Sequence, residues 1–148
     1  MKPKVLLTPF LLIAVTLIGL GDVLYLSYYQ YLNLIPSCAI GGCEVVLSSV
    51  YSKFFGVPLS YLGLVYYAYA LCLFVLLAAD PASRVLRAAV LLYTSLGAAL
   101  SAVFIFYIQM GLIGAICFYC AISAAVAAVL FGLSVMHMVQ TKAPRLDA

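Results

Sequence analysis

Cys117-Phe118-Tyr119-Cys120 is the stretch of the chain with the clearest capacity for chemistry. Two cysteines three positions apart fall on one face of a helix, with Cβ atoms about 5–6 Å apart. A disulfide requires Cα atoms about 4.4–6.8 Å apart, so this pair can close and reopen with small movements. Gly111-Leu-Ile-Gly114 before it reads as a tight turn, and Ala121 to Met138 after it is almost wholly apolar. The pair is therefore expected in the first turn of a helix, where free N–H groups and the helix dipole favour negative charge. A thiolate is such a charge, so one of these cysteines should have a lowered pKa and raised reactivity. A second pair, Cys38 and Cys43, lies in Pro36-Ser-Cys-Ala-Ile-Gly-Gly-Cys43. That Pro/Gly loop lets two cysteines five apart close a small ring.

The elements that must hold these pairs are membrane helices. Of the 148 residues 68% are hydrophobic and 7% charged, whereas a soluble domain carries about 25% charged residues. Four apolar runs, roughly 5–34, 57–79, 88–110 and 116–138, each have the ~20 residues that cross a bilayer as a helix. They nearly exhaust the chain, so the expectation is an all-α four-helix membrane bundle forming a single domain over 1–148. The first run is read as a retained helix, since it is long for a signal peptide and lacks a small-x-small cleavage site before Asp22. Asp22 lies about 25 Å along the axis from Val5. It is either an interfacial carboxylate or a group for proton relay or ligand contact. Tyr25, Tyr28, Tyr29 and Tyr31 crowd that end like an aromatic belt. Glu44 to Phe55 is too short to span. It repeats apolar residues at helical spacing and reads as an amphipathic lid helix on the surface. The second span carries Tyr61, Tyr66, Tyr67 and Tyr69, whose hydroxyls need partners or a polar ligand. Cys72 reads as a small buried hydrophobe and His137 as an interfacial residue. Gly97, Ser101 and the alanines of the last span allow close helix packing.

Charge sets the orientation. Lys2, Lys4, Arg84, Arg87, Lys142 and Arg145 fall on one side of a four-span arrangement and Lys53 on the other. The positive-inside rule then puts both termini in the cytoplasm of a plasma membrane. All four paired cysteines go to the periplasmic or extracellular face, where disulfides persist. The few cations sit at helix ends and form no basic face, which excludes a nucleic-acid partner.

Two dithiol pairs on one face make a relay. The mobile loop pair meets a protein partner, the CxxC pair stays near lipid, and electrons pass between them by thiolate attack on a disulfide. There is no GxGxxG loop for a dinucleotide, and one distant His argues against haem or copper. A two-electron acceptor dissolved in lipid fits, and a quinone such as ubiquinone or menaquinone is the natural one. Two other readings compete. One is a tetrahedral zinc site on the four cysteines, opposed by the long separation of the pairs; the reading taken has no metal. The other is a non-catalytic membrane scaffold stapled by structural disulfides.

The loop pair Cys38 and Cys43, Ser49 six positions later, Gly56-Val-Pro58 with Gly63, and Cys117-Phe-Tyr-Cys120 occur in that order. On these residues the chain resembles the vitamin K epoxide reductase family in its small prokaryotic form. The Dsb-type quinone-linked oxidases instead carry their CxxC in the first outer loop. The resemblance implies a four-helix bundle around a quinone, capped by the loop and the short helix. It implies oxidation of a separate thioredoxin-like (DsbA-like) partner, reduction of the quinone, and hence disulfide formation in exported proteins. By the same resemblance Cys120 is nearest the quinone, Cys117 exchanges with the loop and Ser49 helps hold the lid. Their polar groups within apolar spans make Asp22, Tyr66 and Tyr67 candidates for the quinone pocket. The loop pair is closer together than in the animal enzymes, and Ala124 stands where those place a tyrosine. Disulfide generation is thus favoured over the alternative, vitamin K quinone or epoxide reduction.

Overall fold

A backbone in hydrocarbon has no water to bond, so each apolar run closes its hydrogen bonds within a helix. The computed structural model describes residues 3–38 and 41–142. Lys2, loop residues 39 and 40 and the tail from 143, with Arg145, lie outside them. Among the described residues four helices are long and apolar enough to cross a membrane, and the chain is an all-α multi-pass membrane protein. They are α1 (Pro3–Tyr31), α3 (Leu59–Ala79), α4 (Arg84–Ala102) and α5 (Phe118–Lys142). The third crossing does not stop at α4. It continues as a π-helical segment, Val103–Ile113, well past the expected end near 110. Gly114, at φ +72°, then breaks the coil in the left-handed conformation that suits glycine. Gly111, expected in that turn, is still helical.

α1 packs along α3 and α5, and α5 packs along α4, whereas α3 and α4 touch less extensively. The shared core includes Leu12, Val23, Tyr67, Phe74, Val126 and Leu130. Close approach requires small residues. A Cβ on Gly19 of α1 would lie 2.5 Å from the Tyr67 ring and 2.9 Å from Val126. Gly97 of α4 likewise lies under the Tyr66 ring. At the opposite end from the cysteines, Asp80-Pro81 ends α3, because proline cannot continue the coil. Arg87 then ties the short turn by donating to the Ser83 and Ala82 carbonyls, each at 3.2 Å.

The lid is less helical than its periodicity suggests. Only Cys43–Ser48 forms α2, followed by a 3₁₀ turn at Val50–Ser52. A small hairpin then pairs Lys53–Phe54 (β1) with Val57–Pro58 (β2). The serines cause the break. Ser48 donates to the Glu44 carbonyl at 2.6 Å and Ser49 to the Val46 carbonyl at 2.7 Å, offering the backbone an exit from the helix. One other reading changes. Cys72 faces outward rather than into the core. His137, at the end of α5 near Arg87 and Pro81 as an interfacial residue would be, is buried against the other helices, because it continues the inward stripe of Val126, Leu130 and Ser134 at helical spacing.

Candidate active site

The two cysteine segments meet at one end of the bundle. Gly42, at φ +83°, turns the loop so that Cys43 begins α2. A Cβ on Gly42 would stand 2.5 Å from the Ile116 carbonyl oxygen, so the two backbones touch one residue before each cysteine. Tyr119 of α5 donates to the Ser37 carbonyl at 3.4 Å and helps seat the loop's other arm. Cys43, Val46 and Cys117 are buried together, with Cys38, Phe104, Phe118 and Cys120 packed around them.

Within this cluster the sulfurs are in different states. Cys38 and Cys43 are disulfide-bonded, with Cα atoms 5.9 Å apart. Cys117 and Cys120 are free thiols. The Cys117 sulfur lies 3.6 Å from the Cys43 sulfur. This places a thiol against a disulfide with no group between them.

Cys117 stands at the start of α5, as its spacing predicts. Its carbonyl accepts the first helical bond, from Ala121 N–H at 3.0 Å. Its sulfur accepts from Cys120 N–H at 3.4 Å. This is the bond that a serine or aspartate oxygen makes when it caps a helix, here made by sulfur. The Cys120 thiol, hydrogen-bonded to Cys117, lowers the Cys117 pKa most. Burial opposes this, and the Cys120 and Tyr119 N–H groups reinforce the lowering. Cys117 is therefore the sulfur more readily ionised, and it is the one facing the loop disulfide.

Other residues enter the site unequally. Asp22 of α1 lies within electrostatic reach of Cys117 and Cys120, and its Oδ2 is buried with no partner. Tyr67 is buried near Asp22 and donates to the Ser123 carbonyl of α5 at 2.9 Å. Tyr66 turns toward α4, where it stacks on Tyr93, and does not join the cysteines. Ser49 anchors the end of the lid helix. One residue escaped the sequence reading. Gln109, in the π-helical segment, is fully buried. Its Oε1 accepts from Cys117 N–H at 2.9 Å. The only signal in the sequence was an amide inside an apolar run, which the sequence reading passed over.

Apolar spanning helices carrying a disulfide seated on a dithiol define a multi-pass membrane protein with a thiol–disulfide centre. The Vitamin K epoxide reductase family matches residues 10–135, and the chain belongs to that family. It is also similar to the thiol-disulfide oxidoreductase LTO1 of Arabidopsis thaliana, with 35% identity over 121 residues. That match covers 77% of this chain and 32% of LTO1, so the chain spans about a third of the length of that relative.

Proposed function

We propose that the chain is a quinone-dependent thiol–disulfide oxidoreductase, accepting electrons from a thioredoxin-like partner at the outer face of a plasma membrane. The observation that carries this reading is the 3.6 Å contact between the free Cys117 sulfur and the bonded Cys43 sulfur. Exchange needs a thiolate and a disulfide at contact distance, with the attacking sulfur ionised. The partner's thiolate attacks the loop disulfide and its second thiol completes the reduction, leaving Cys38 and Cys43 as thiols. Cys38 is the half-exposed member of the loop pair and Cys43 the buried one, which favours Cys38 as the partner's point of entry. The Cys43 thiolate next attacks Cys117 of a Cys117–Cys120 disulfide. The bond between Cys43 and Cys117 forms, and the electron pair goes to Cys120. Cys38 then attacks Cys43 and releases Cys117. The arrangement with a bonded loop and two free thiols corresponds to the state after this transfer.

The residues around Cys120 fit a quinone headgroup. The unpartnered Asp22 carboxyl can donate to a carbonyl when protonated and accept from a hydroxyl when ionised. Bound there, a quinone supplies a two-electron acceptor soluble in the bilayer. Asp22 would orient the headgroup against Cys120, and the surrounding apolar packing excludes water. The termini and the Arg84–Arg87 turn are assigned to the cytoplasm by their positive charge.

The test is turnover in proteoliposomes containing a quinone, with a reduced thioredoxin-like protein outside. Replacing Cys117 or Cys120 by alanine should abolish quinone reduction. Replacing Cys38 or Cys43 should block the protein substrate while sparing a small dithiol. Full activity in all four variants would overturn the proposal.

A further inference from the structure

Gln109 is the only fully buried side-chain amide among the described residues, and its two ends are treated differently. The backbone binds the segment ahead of the cysteines, since its carbonyl accepts from Ala115 N–H at 3.2 Å. The side-chain Oε1 accepts from Cys117 N–H at 2.9 Å. A backbone N–H can only donate, so the amide atom that it meets must be oxygen. The orientation of the amide is thereby fixed, and Nε2 must point the other way. Nε2 is buried with no hydrogen-bond partner, and it lies within electrostatic reach of the Cys120 sulfur. A polar donor buried without a partner is costly and uncommon, and here it lies beside a sulfur that becomes charged during exchange. The other ionisable groups around that sulfur are Cys117 on α5 and Asp22 on α1. Neither offers a fixed positive charge, whereas Nε2–H offers a fixed donor.

We propose that Gln109 is a positioning residue of the relay: it pins the Cys117 backbone through Oε1 and supplies through Nε2 the hydrogen bond that receives the Cys120 thiolate. This rests on the exchange direction given above. As Cys43 attacks Cys117, the Cys117–Cys120 bond breaks and the electron pair settles on Cys120. The Nε2 contact to that sulfur, which does not reach hydrogen-bond geometry in the thiol state, tightens as the charge develops. A bond that strengthens toward the transition state accelerates the step, whereas one satisfied beforehand does not. The π-helical turn supports this arrangement, since such widened turns recur at functional sites.

The test removes both quinone and protein partner. In a Cys38→Ser protein with an oxidised Cys117–Cys120 pair, a pH jump lets Cys43 attack Cys117, and acid quenching followed by maleimide tagging of the released Cys120 gives the rate. Gln109→Glu keeps an oxygen for Cys117 N–H and, once its carboxyl ionises, has no donor; Gln109→Met loses both. Gln109→Met, and Gln109→Glu once ionised, should react about tenfold slower, the scale of a hydrogen bond to a charged leaving group. For Gln109→Glu the deficit should widen as pH rises and its carboxyl ionises beside the leaving sulfur. A role confined to holding the backbone predicts a normal rate and pH profile for Gln109→Glu, and that result would overturn the proposal. Thermal unfolding of each variant shows whether a slow rate reflects a damaged fold, and Gln109→Glu decides the matter if Gln109→Met does not fold. Since no quinone is present, this result and the quinone result fail independently.

Discussion

Replacing Cys120 leaves Cys117 no partner except Cys43, and the choice of replacement should set how fast that exchange runs. The Cys117 thiolate lies 3.6 Å from Cys43 and must approach to about 2.05 Å to bond. The Cys43–Cys117 bond forms, the Cys38–Cys43 bond breaks, and the electron pair and a proton end on Cys38. Cys117 is buried and Cys38 half-exposed, so a maleimide captures the released Cys38 and draws the exchange forward. Cys120→Ser keeps a hydroxyl to donate to Cys117, whereas Cys120→Ala removes the main group that lowers its pKa. A hydrogen bond to a charged group is worth about 1.5–3 kcal/mol, or about 1–2 pH units. Below the thiol's titration, that loss reduces the thiolate about 10–100-fold. The higher intrinsic nucleophilicity of the more basic thiolate restores roughly half of this on a logarithmic scale. Cys120→Ala should therefore release Cys38 about 3–10-fold more slowly than Cys120→Ser. In both variants the rate should fall as pH drops through the Cys117 pKa, with a midpoint below the ordinary thiol value of about 8.5 in Cys120→Ser and a higher midpoint in Cys120→Ala. The assay is time-resolved tagging followed by non-reducing peptide mapping. Equal rates would refute the role given to the Cys120 donor, and an untagged Cys38 in both would refute the contact itself.

Three further outcomes are expected. Gly42→Ala forces a side chain against the Ile116 carbonyl at a left-handed backbone position, which costs roughly 1–2 kcal/mol from conformation alone; it should slow loop-to-CxxC exchange, followed by the same tagging, while the loop disulfide still forms. Asp22→Asn keeps the size of the side chain but removes its charge. A loss of about 1.4 kcal/mol at the headgroup would raise the quinone KM about tenfold, measured in proteoliposomes, with dithiol reduction of the loop unchanged. After reduction, an impermeant maleimide should tag Cys38 from the outer face, whereas a cysteine replacing Arg84 should be tagged from the cytoplasmic face.

The spans and the cysteine pairs were legible because hydropathy and spacing are properties of the chain alone. What faces what was not. A transmembrane helix is apolar on the lipid side and on the packed side alike, so nothing local distinguished outward Cys72 from buried Tyr67. The burial of His137 was not legible for the same reason, since it depends on the rotation of α5 against its neighbours. The lid was misread because apolar periodicity over 44–55 ignored Ser48 and Ser49, whose hydroxyls compete for the backbone. Gln109 depended on a tertiary fact, the return of the chain through Gly114 that brings Cys117 N–H back to the amide.

The most direct measurement is a single turnover. The fully reduced protein, in lipid with excess quinone and no oxygen, is followed for thiols lost at 117 and 120 and for quinol formed. One quinol per two thiols oxidised, absent in Cys117→Ala and Cys120→Ala, is the expected result. Quinol formed without those sulfurs, or a CxxC pair that stays reduced beside abundant quinone, would contradict the account.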